Sequence, residues 1–371
     1  MNTVFVDPDA LEQVLNKILR ADGCTQEEAT EVARHLVDAS LCGHDSHGVI
    51  RILRYHLWLG TGQIKAAQTL RAVIDTPTLM QFDGGDGMGQ WLTREATRIG
   101  IARANEHGTA IVALRRAGHI GRLGSYAEQA CRAGLASIQF CNVAGSRLVA
   151  PFGAAQRCIS TAPVAIGVPG AGGNDFILDF ATSLVAEGKA LVAGTGGKPL
   201  PGDALVDANG ELTGDPYALY GDTLATEVPN PRAGDGALRT MGDHKGSGLA
   251  LACEMLAGAL TGNGTNGATD HRFGNGLLAI FIDPARLDDP QGFAREAASY
   301  INYVRDARPA RGTDRVLVPG DKERATAKER RENGLPLSNT VFDGIIEIVR
   351  SLSITVNNAD LLRPAPVDPI S

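Results

Sequence analysis

Residues 110–132 read AIVALRRAGHIGRLGSYAEQACR, and this stretch decides the fold class. Residues 110–114 are an unbroken apolar run of strand length, with β-branched Ile111 and Val112 near its centre. Gly118, Gly121 and Gly124 then punctuate a turn, and Tyr126, Ala127, Ala130 and Cys131 recur at helical spacing. A buried strand passing through a glycine turn into a helix is the building unit of an α/β protein.

The same alternation extends outward. Upstream, residues 70–74 and 79–82 read as short strands, the second ended by Asp83-Gly84-Gly85-Asp86-Gly87, and residues 91–106 as a long helix. Downstream, 136–141, 162–168 and 176–180 read as strands, 182–240 as irregular chain, 248–260 as an apolar helix and 277–282 as a buried strand.

The two ends are helical. Asp7-Pro8 supplies an N-cap and an N1 proline, with Val6 and Leu11 placed as a staple. Thr25 and Glu28 form a capping box. A third helix is expected from Ser46, carrying Val49, Ile52, Leu53 and Leu57. After 285, helices at 293–306, 321–333 and 338–351 flank a short edge strand at 315–319, and a proline-rich tail covers 359–371. The simplest organisation is a helical unit at 1–75, a central α/β domain at 76–285, and a helical part at 286–371 that packs back on the first.

Composition narrows the function classes. The 371 residues are 43% hydrophobic and carry a net charge of −7, and the basic cluster 322–331 is interleaved with Glu323 and Glu329. Neither feature suits a nucleic-acid binder. The six cysteines include no C-x-x-C pair, as in reduced cytosolic proteins. The longest apolar stretch, 246–262, contains Glu254 and is too short and glycine-rich to span a bilayer. A cytoplasmic protein with no membrane and no nucleic-acid partner is expected.

The familiar nucleotide fingerprints fail. Gly85-x-Gly87-x-Gly89 and Gly170-x-Gly172-Gly173 have the wrong spacing for a dinucleotide turn, and Gly194-Thr195-Gly196-Gly197-Lys198 runs into Pro199 where a P-loop needs Ser or Thr.

Three other segments concentrate polar chemistry. The first is Gly43-His44-Asp45-Ser46-His47-Gly48-Val49. A helix from Ser46 would put His47, Arg51 and Tyr55 on one face, offering a proton donor beside a carboxylate clamp. The plainer reading is an exposed turn capped by Ser46, and a third is a metal site on His44, Asp45 and His47. The second segment, 118–126, lets backbone and a helix N-terminus approach an anion, or is an ordinary strand-to-helix turn. The third, Met241-Gly242-Asp243-His244-Lys245-Gly246-Ser247-Gly248, suits phosphate contacts, or is a glycine-rich cap with solvated charges.

Taken together, the runs 43–49 and 119–128, Leu178-Asp179-Phe180-Ala181-Thr182-Ser183 with Gly188-Lys189, and 242–251 resemble, in order, the signatures of the malate/L-lactate dehydrogenase family of the non-Rossmann type. The resemblance spans about residues 5 to 350. It implies an α/β fold with a non-Rossmann NAD(P)-binding domain on a mixed central sheet, a helical unit built from both chain ends, and a homodimer.

By the same resemblance His47 is the proton donor, Ser46 and Arg51 flank the substrate, His119 lines the pocket opposite, and Asp179 lies by the nicotinamide. NAD or NADP would run along Asp175, Phe176, Ile177, Leu178, Asp179, Phe180 and Ala181. It would also meet His119 and Gly121, Thr161 and Pro163, His244 and Lys245, and Gly320, Asp321 and Lys322. No metal is implied. The implied reaction interconverts a small anionic 2-oxo acid and its 2-hydroxy acid. The alternatives are reduction of a cyclic imino acid such as piperideine-2-carboxylate, a metal-dependent hydrolase, and a non-catalytic ligand-binding protein.

Overall fold

Seven strands form the central sheet of the computed structural model, which describes residues 3–170, 174–194, 198–225, 230–267 and 273–364. From one edge to the other they are Arg71–Asp75, Leu79–Gly87, Thr109–Ala117, Gly274–Ile282, Ala136–Ala144, Val164–Val168 and Phe176–Phe180. Leu79–Gly87 and Thr109–Ala117 run parallel, bridged by the helix Gly89–His107, and every other neighbouring pair is antiparallel. The sheet is therefore mixed and the class α/β, as residues 110–132 indicate. A Rossmann domain needs a run of consecutive parallel strands, and the central sheet has a single parallel pair.

The pleat sends alternate residues to opposite faces. On one face Met80, Phe82, Val112, Leu114, Leu277 and Phe281 pack with Leu92, Ala96, Tyr126 and Ala130 of the helices Gly89–His107 and Gly124–Arg132. On the other, Val164, Phe140 and Ile166 meet Ala250 and Cys253 of the helix His244–Cys253. Each fully buried Leu, Val or Phe contributes about 1.5–3 kcal/mol, so both helix layers are firmly held.

The chain ends share a second core. Leu11, Leu15 and Ile18 of Pro8–Ala21, Val32 and Leu36 of Gln26–Leu41, Ile52 and Tyr55 of Arg51–Gly60, and Ile345 and Val349 of Asn339–Ser351 all pack together. Thr3–Val6 pairs antiparallel with both Leu335–Ser338 and Leu362–Arg363. The caps form as the sequence predicts: Asp7 accepts from the Ala10 N–H, and Thr25 with Glu28 completes a capping box.

Several expectations are corrected. Thr3–Val6, at the start of the described residues, is a strand. Asp83 to Gly87 continues its strand instead of ending it, and the strand expected from Ala162 starts at Val164, because Ala162 takes φ +33°. Residues 315–319 form no ladder. Single bonds hold that segment, from the Val318 N–H to Asp321 and from the Ile177 N–H to the Pro319 carbonyl. The apolar helix starts at His244 and widens into a π-helical turn at Glu254–Ala259. There the buried Glu254 carboxylate accepts from Asn266, Asn142 and Ser160, pinning the helix to the sheet.

The region 182–240 is more ordered than expected. It holds the helices Glu187–Gly194 and Tyr217–Tyr220. Its strands Leu205–Val206, Leu212–Thr213 and Ala237–Arg239 join Val149–Ala150 in a small sheet. Gly172, Gly173, Thr195, Gly196 and Gly197 lie outside the described residues, as does the tail from 365.

Candidate active site

The helix expected from Ser46 does not form there. Asp45–His47 is one 3-10 turn, Gly48 is extended at φ −90° and ψ −151°, and the α-helix begins at Arg51. The break has a packing cause. A Cβ on Gly48 would sit 2.0 Å from Ser40 Oγ, and that hydroxyl accepts the Val49 N–H at 3.0 Å. The chain thus presses against the helix Gln26–Leu41 before it can turn regularly. Ser46 is no N-cap, and its carbonyl accepts from Arg51 Nε.

The break nonetheless brings the polar side chains together. His47 Nδ1 lies 3.2 Å from His119 Nε2, with the rings 5° from parallel. His119 Nδ1 lies 2.6 Å from the Tyr55 hydroxyl, to which Gln90 Nε2 donates at 2.6 Å. His119 sits in the glycine turn after Thr109–Ala117, and Gln90 in the first turn of Gly89–His107. Gly89 makes this approach possible, because a Cβ there would be 2.4 Å from the carbonyl oxygens of Gly118 and His119. Tyr55 and Gln90 are fully buried, whereas His47, His119 and Arg51 keep part of their surface open.

Electrostatics at this pocket favour neutral imidazoles. Burial, then the Arg51 charge, then His44 and Arg122, push His47 down to about 3. His119 is held well below the ordinary histidine value by burial and by Arg51. Burial also lowers Arg51. Asp179 is raised, chiefly by burial, although it accepts the Gly124 N–H at 2.7 Å. The surroundings of the two imidazoles are thus cationic and poorly solvated, which suits a small anion.

His44, Asp45 and His47 do not converge on one point. His44 Nε2 is 3.5 Å from Glu323, Asp45 pairs with Arg330, and His47 meets His119. Among the described residues no three metal-ligating side chains are grouped to hold an ion.

The residues expected along the cofactor fall into two joined groups. Phe176–Phe180 is the sheet's edge strand, and the Asp175 carbonyl accepts from Arg324 at 2.9 Å while the Ile177 N–H reaches Pro319, so 175–181 and 319–322 are adjacent. Asp321 is not free for a ligand alone. Arg305, Arg324 and the Val318 N–H engage it and hold it low, at about 2. In the second group, Thr182 donates to the Thr161 carbonyl and accepts the Met241 N–H, which draws Thr161 toward the His244 helix start. The Pro163 carbonyl is taken by the Cys141 N–H. His244, Lys245 and Lys322 are exposed, and Gly121 takes φ +75° against His35.

Gln90 is the site residue that sequence reasoning missed. No motif marks it, and its one signal is an amide between Gly89 and Trp91 at the start of an apolar helix. Tyr55 is visible at i+8 from His47, but nothing in the sequence ties it to His119. Arg122, 2% exposed and paired with Glu128, carries no such signal either, although it adds charge beside His47.

The fold and the pocket together define an α/β enzyme without a Rossmann unit. Residues 6–346 match the malate/L-lactate dehydrogenase family, and the chain belongs to it. It is an oxidoreductase acting on hydroxyl groups, of a kind that uses a nicotinamide cofactor. An L-lactate dehydrogenase of Cupriavidus necator is 33% identical over 352 residues, covering 94% of this chain and 97% of that protein. The sulfolactate dehydrogenase structure from Methanocaldococcus jannaschii superposes with a TM-score of 0.82 at 29% identity, covering 94% of this chain and 98% of that one. A Δ1-piperideine-2-carboxylate reductase structure from Pseudomonas syringae does so with a TM-score of 0.77 at 26% identity, covering 93% and 99%. No helix among the described residues is long and apolar enough to cross a membrane.

Proposed function

We propose that the protein interconverts a small 2-oxo acid and its 2-hydroxy acid, using NADH or NADPH, with His47 as the proton carrier. The observation that carries this reading is the His47–His119 contact of 3.2 Å in a partly open pocket, four residues before Arg51. Reduction of a 2-oxo acid needs a proton for the developing alkoxide and a cation for the carboxylate. His47 and Arg51 are the matching pair. Ser46 and His119 border them, and His119 holds the His47 ring at a fixed angle.

His47 is neutral near pH 7, which suits it to take a proton from the hydroxy acid. For reduction it must first be protonated. A substrate carboxylate beside Arg51 offsets the cations that depress it, so binding the anion and charging His47 are coupled.

The residues present fit a nicotinamide dinucleotide. His244 and Lys245 are exposed at the start of a ten-residue helix, where the Lys245 ammonium and the positive end of the helix dipole favour a diphosphate. A Cβ on Gly124 would meet Asp179 Oδ2 at 2.9 Å, so the backbone there is kept bare beside the strand Phe176–Phe180. Thr161, Pro163, Asp175 to Ala181 and Gly320 to Lys322 would complete the binding surface, with Asp179 nearest the reacting end. When bound, the reduced nicotinamide supplies the hydride.

A cyclic imino acid is the second reading, supported by the likeness to the piperideine-2-carboxylate reductase structure. There the proton from His47 would end on nitrogen. NADH and NADPH oxidation across pyruvate, oxaloacetate, 2-oxoglutarate, sulfopyruvate, a diketo sugar acid and piperideine-2-carboxylate separates the two. Turnover of an oxo acid supports the first reading, turnover of the imine alone the second, and silence on all six with no cofactor binding contradicts both.

A further inference from the structure

Gln90, Tyr55, His119 and His47 form one unbroken hydrogen-bond chain, with steps of 2.6, 2.6 and 3.2 Å. Gln90 and Tyr55 are 0% exposed, so water offers neither an alternative partner. The phenol has one proton and must place it inside the chain. Burial pushes the Tyr55 phenol upward, so that proton stays on. Among the described residues no carboxylate is hydrogen-bonded to either imidazole. The groups facing them are the cations Arg51 and Arg122 with His44 and His35.

The direction of every bond then follows from one amide. With Gln90 Nε2 donating to the phenol oxygen, Tyr55 donates to His119 Nδ1. His119 carries its own proton on Nε2 and donates it to His47 Nδ1, so His47 bears its proton on Nε2. In this arrangement His47 has no free lone pair and cannot accept a proton. If the amide turns over, Tyr55 donates to the Gln90 carbonyl and each bond reverses. His47 then donates from Nδ1 and presents a bare Nε2. The Gln90 carbonyl oxygen is buried without a hydrogen-bond partner, so no second bond holds the amide against turning.

We propose that Gln90 and Tyr55 are positioning residues that set, through His119, which ring nitrogen of His47 bears the proton. Turning the Gln90 amide switches His47 between an idle and a proton-accepting tautomer. The inference rests on His47 being the proton carrier, which His47→Ala tests separately.

The test is the tautomer itself, read at pH 7.5 from two-bond nitrogen–proton correlations in protein labelled with 15N-histidine, with His47 and His119 assigned by substitution. The wild-type protein should show both protons on Nε2. Tyr55→Phe, which keeps the ring beside Trp58, and Gln90→Met should each move both histidines to a mixture, drawing their two nitrogen signals together. Turnover in both variants should fall about 10-fold with KM within about 2-fold, because neither Gln90 nor Tyr55 touches the substrate. Unchanged tautomers in whichever variant folds, with a lower Tm as the only effect, would overturn the proposal. Should His47→Ala keep full turnover, the proton-carrier reading falls instead, whatever the tautomers show.

Discussion

His47 Nδ1 lies 3.2 Å from His119 Nε2 although 72 residues separate them, one in a 3-10 turn against the helical core and the other at the end of a sheet strand. The contact joins the two chemistry-bearing segments into one pocket. It is also where the cationic surroundings act, since Arg51 lowers both imidazoles.

Arg51→Lys keeps the charge and loses the planar fork. KM for the oxo acid should rise at least about 10-fold with kcat little changed, as expected when a bidentate carboxylate bond becomes a point contact. Steady-state kinetics check this, and an unchanged KM removes Arg51 from the substrate.

Anion binding should draw a proton onto His47, because a carboxylate beside Arg51 opposes the charge that holds His47 at about 3. Titration calorimetry with oxamate at pH 6.5, repeated in buffers of different ionisation enthalpy, should show uptake of up to about one proton in the cofactor complex. The uptake should vanish in His47→Gln. Equal uptake in both proteins would place the proton elsewhere.

Acid should destabilise the fold earlier than carboxylate titration alone would cause. His35, His47 and His119 are all held below 6.5 when folded, so between about 6.5 and about 3 the unfolded chain binds more protons than the folded one. Stability therefore rises with pH through that window and is lost as pH falls. Tm should drop between pH 7 and pH 5, and less steeply in His47→Gln.

Gly121→Ala should cost at least about 2 kcal/mol, because it combines strained backbone with a steric clash. Gly121 has φ +75°, and a Cβ would sit 2.2 Å from His35 Nε2, which accepts the Arg122 N–H. Gly134→Ala, at φ +79° with open space around it, is the control and should cost only about 1 kcal/mol. Urea unfolding of the two variants measures the difference.

Local signals carried much of this architecture. Caps at Asp7 and Thr25, the apolar run at 110–114 and the glycine turn at 118–124 depend on neighbours in sequence, and each stands where it was read. What failed depended on distant partners. The break at Gly48 is caused by Ser40 on another helix, the π-helical turn by Glu254 bonding Asn142 and Ser160, and the missing strand at 315–319 by bonds to Ile177 and Asp321. The pocket was partly legible for the same reason. His47 and Arg51 lie close in sequence, while Gln90 reaches Tyr55 only because Gly89 packs on the 118–119 turn.

His47 as the proton carrier has one decisive test. The most direct measurement is kcat of His47→Ala alongside its cofactor affinity, with the oxo acid at saturation. A proton-carrying His47 requires a fall in kcat of roughly 10²–10⁴ and a cofactor Kd close to wild type. Wild-type kcat, or normal turnover with lost cofactor binding, would contradict it.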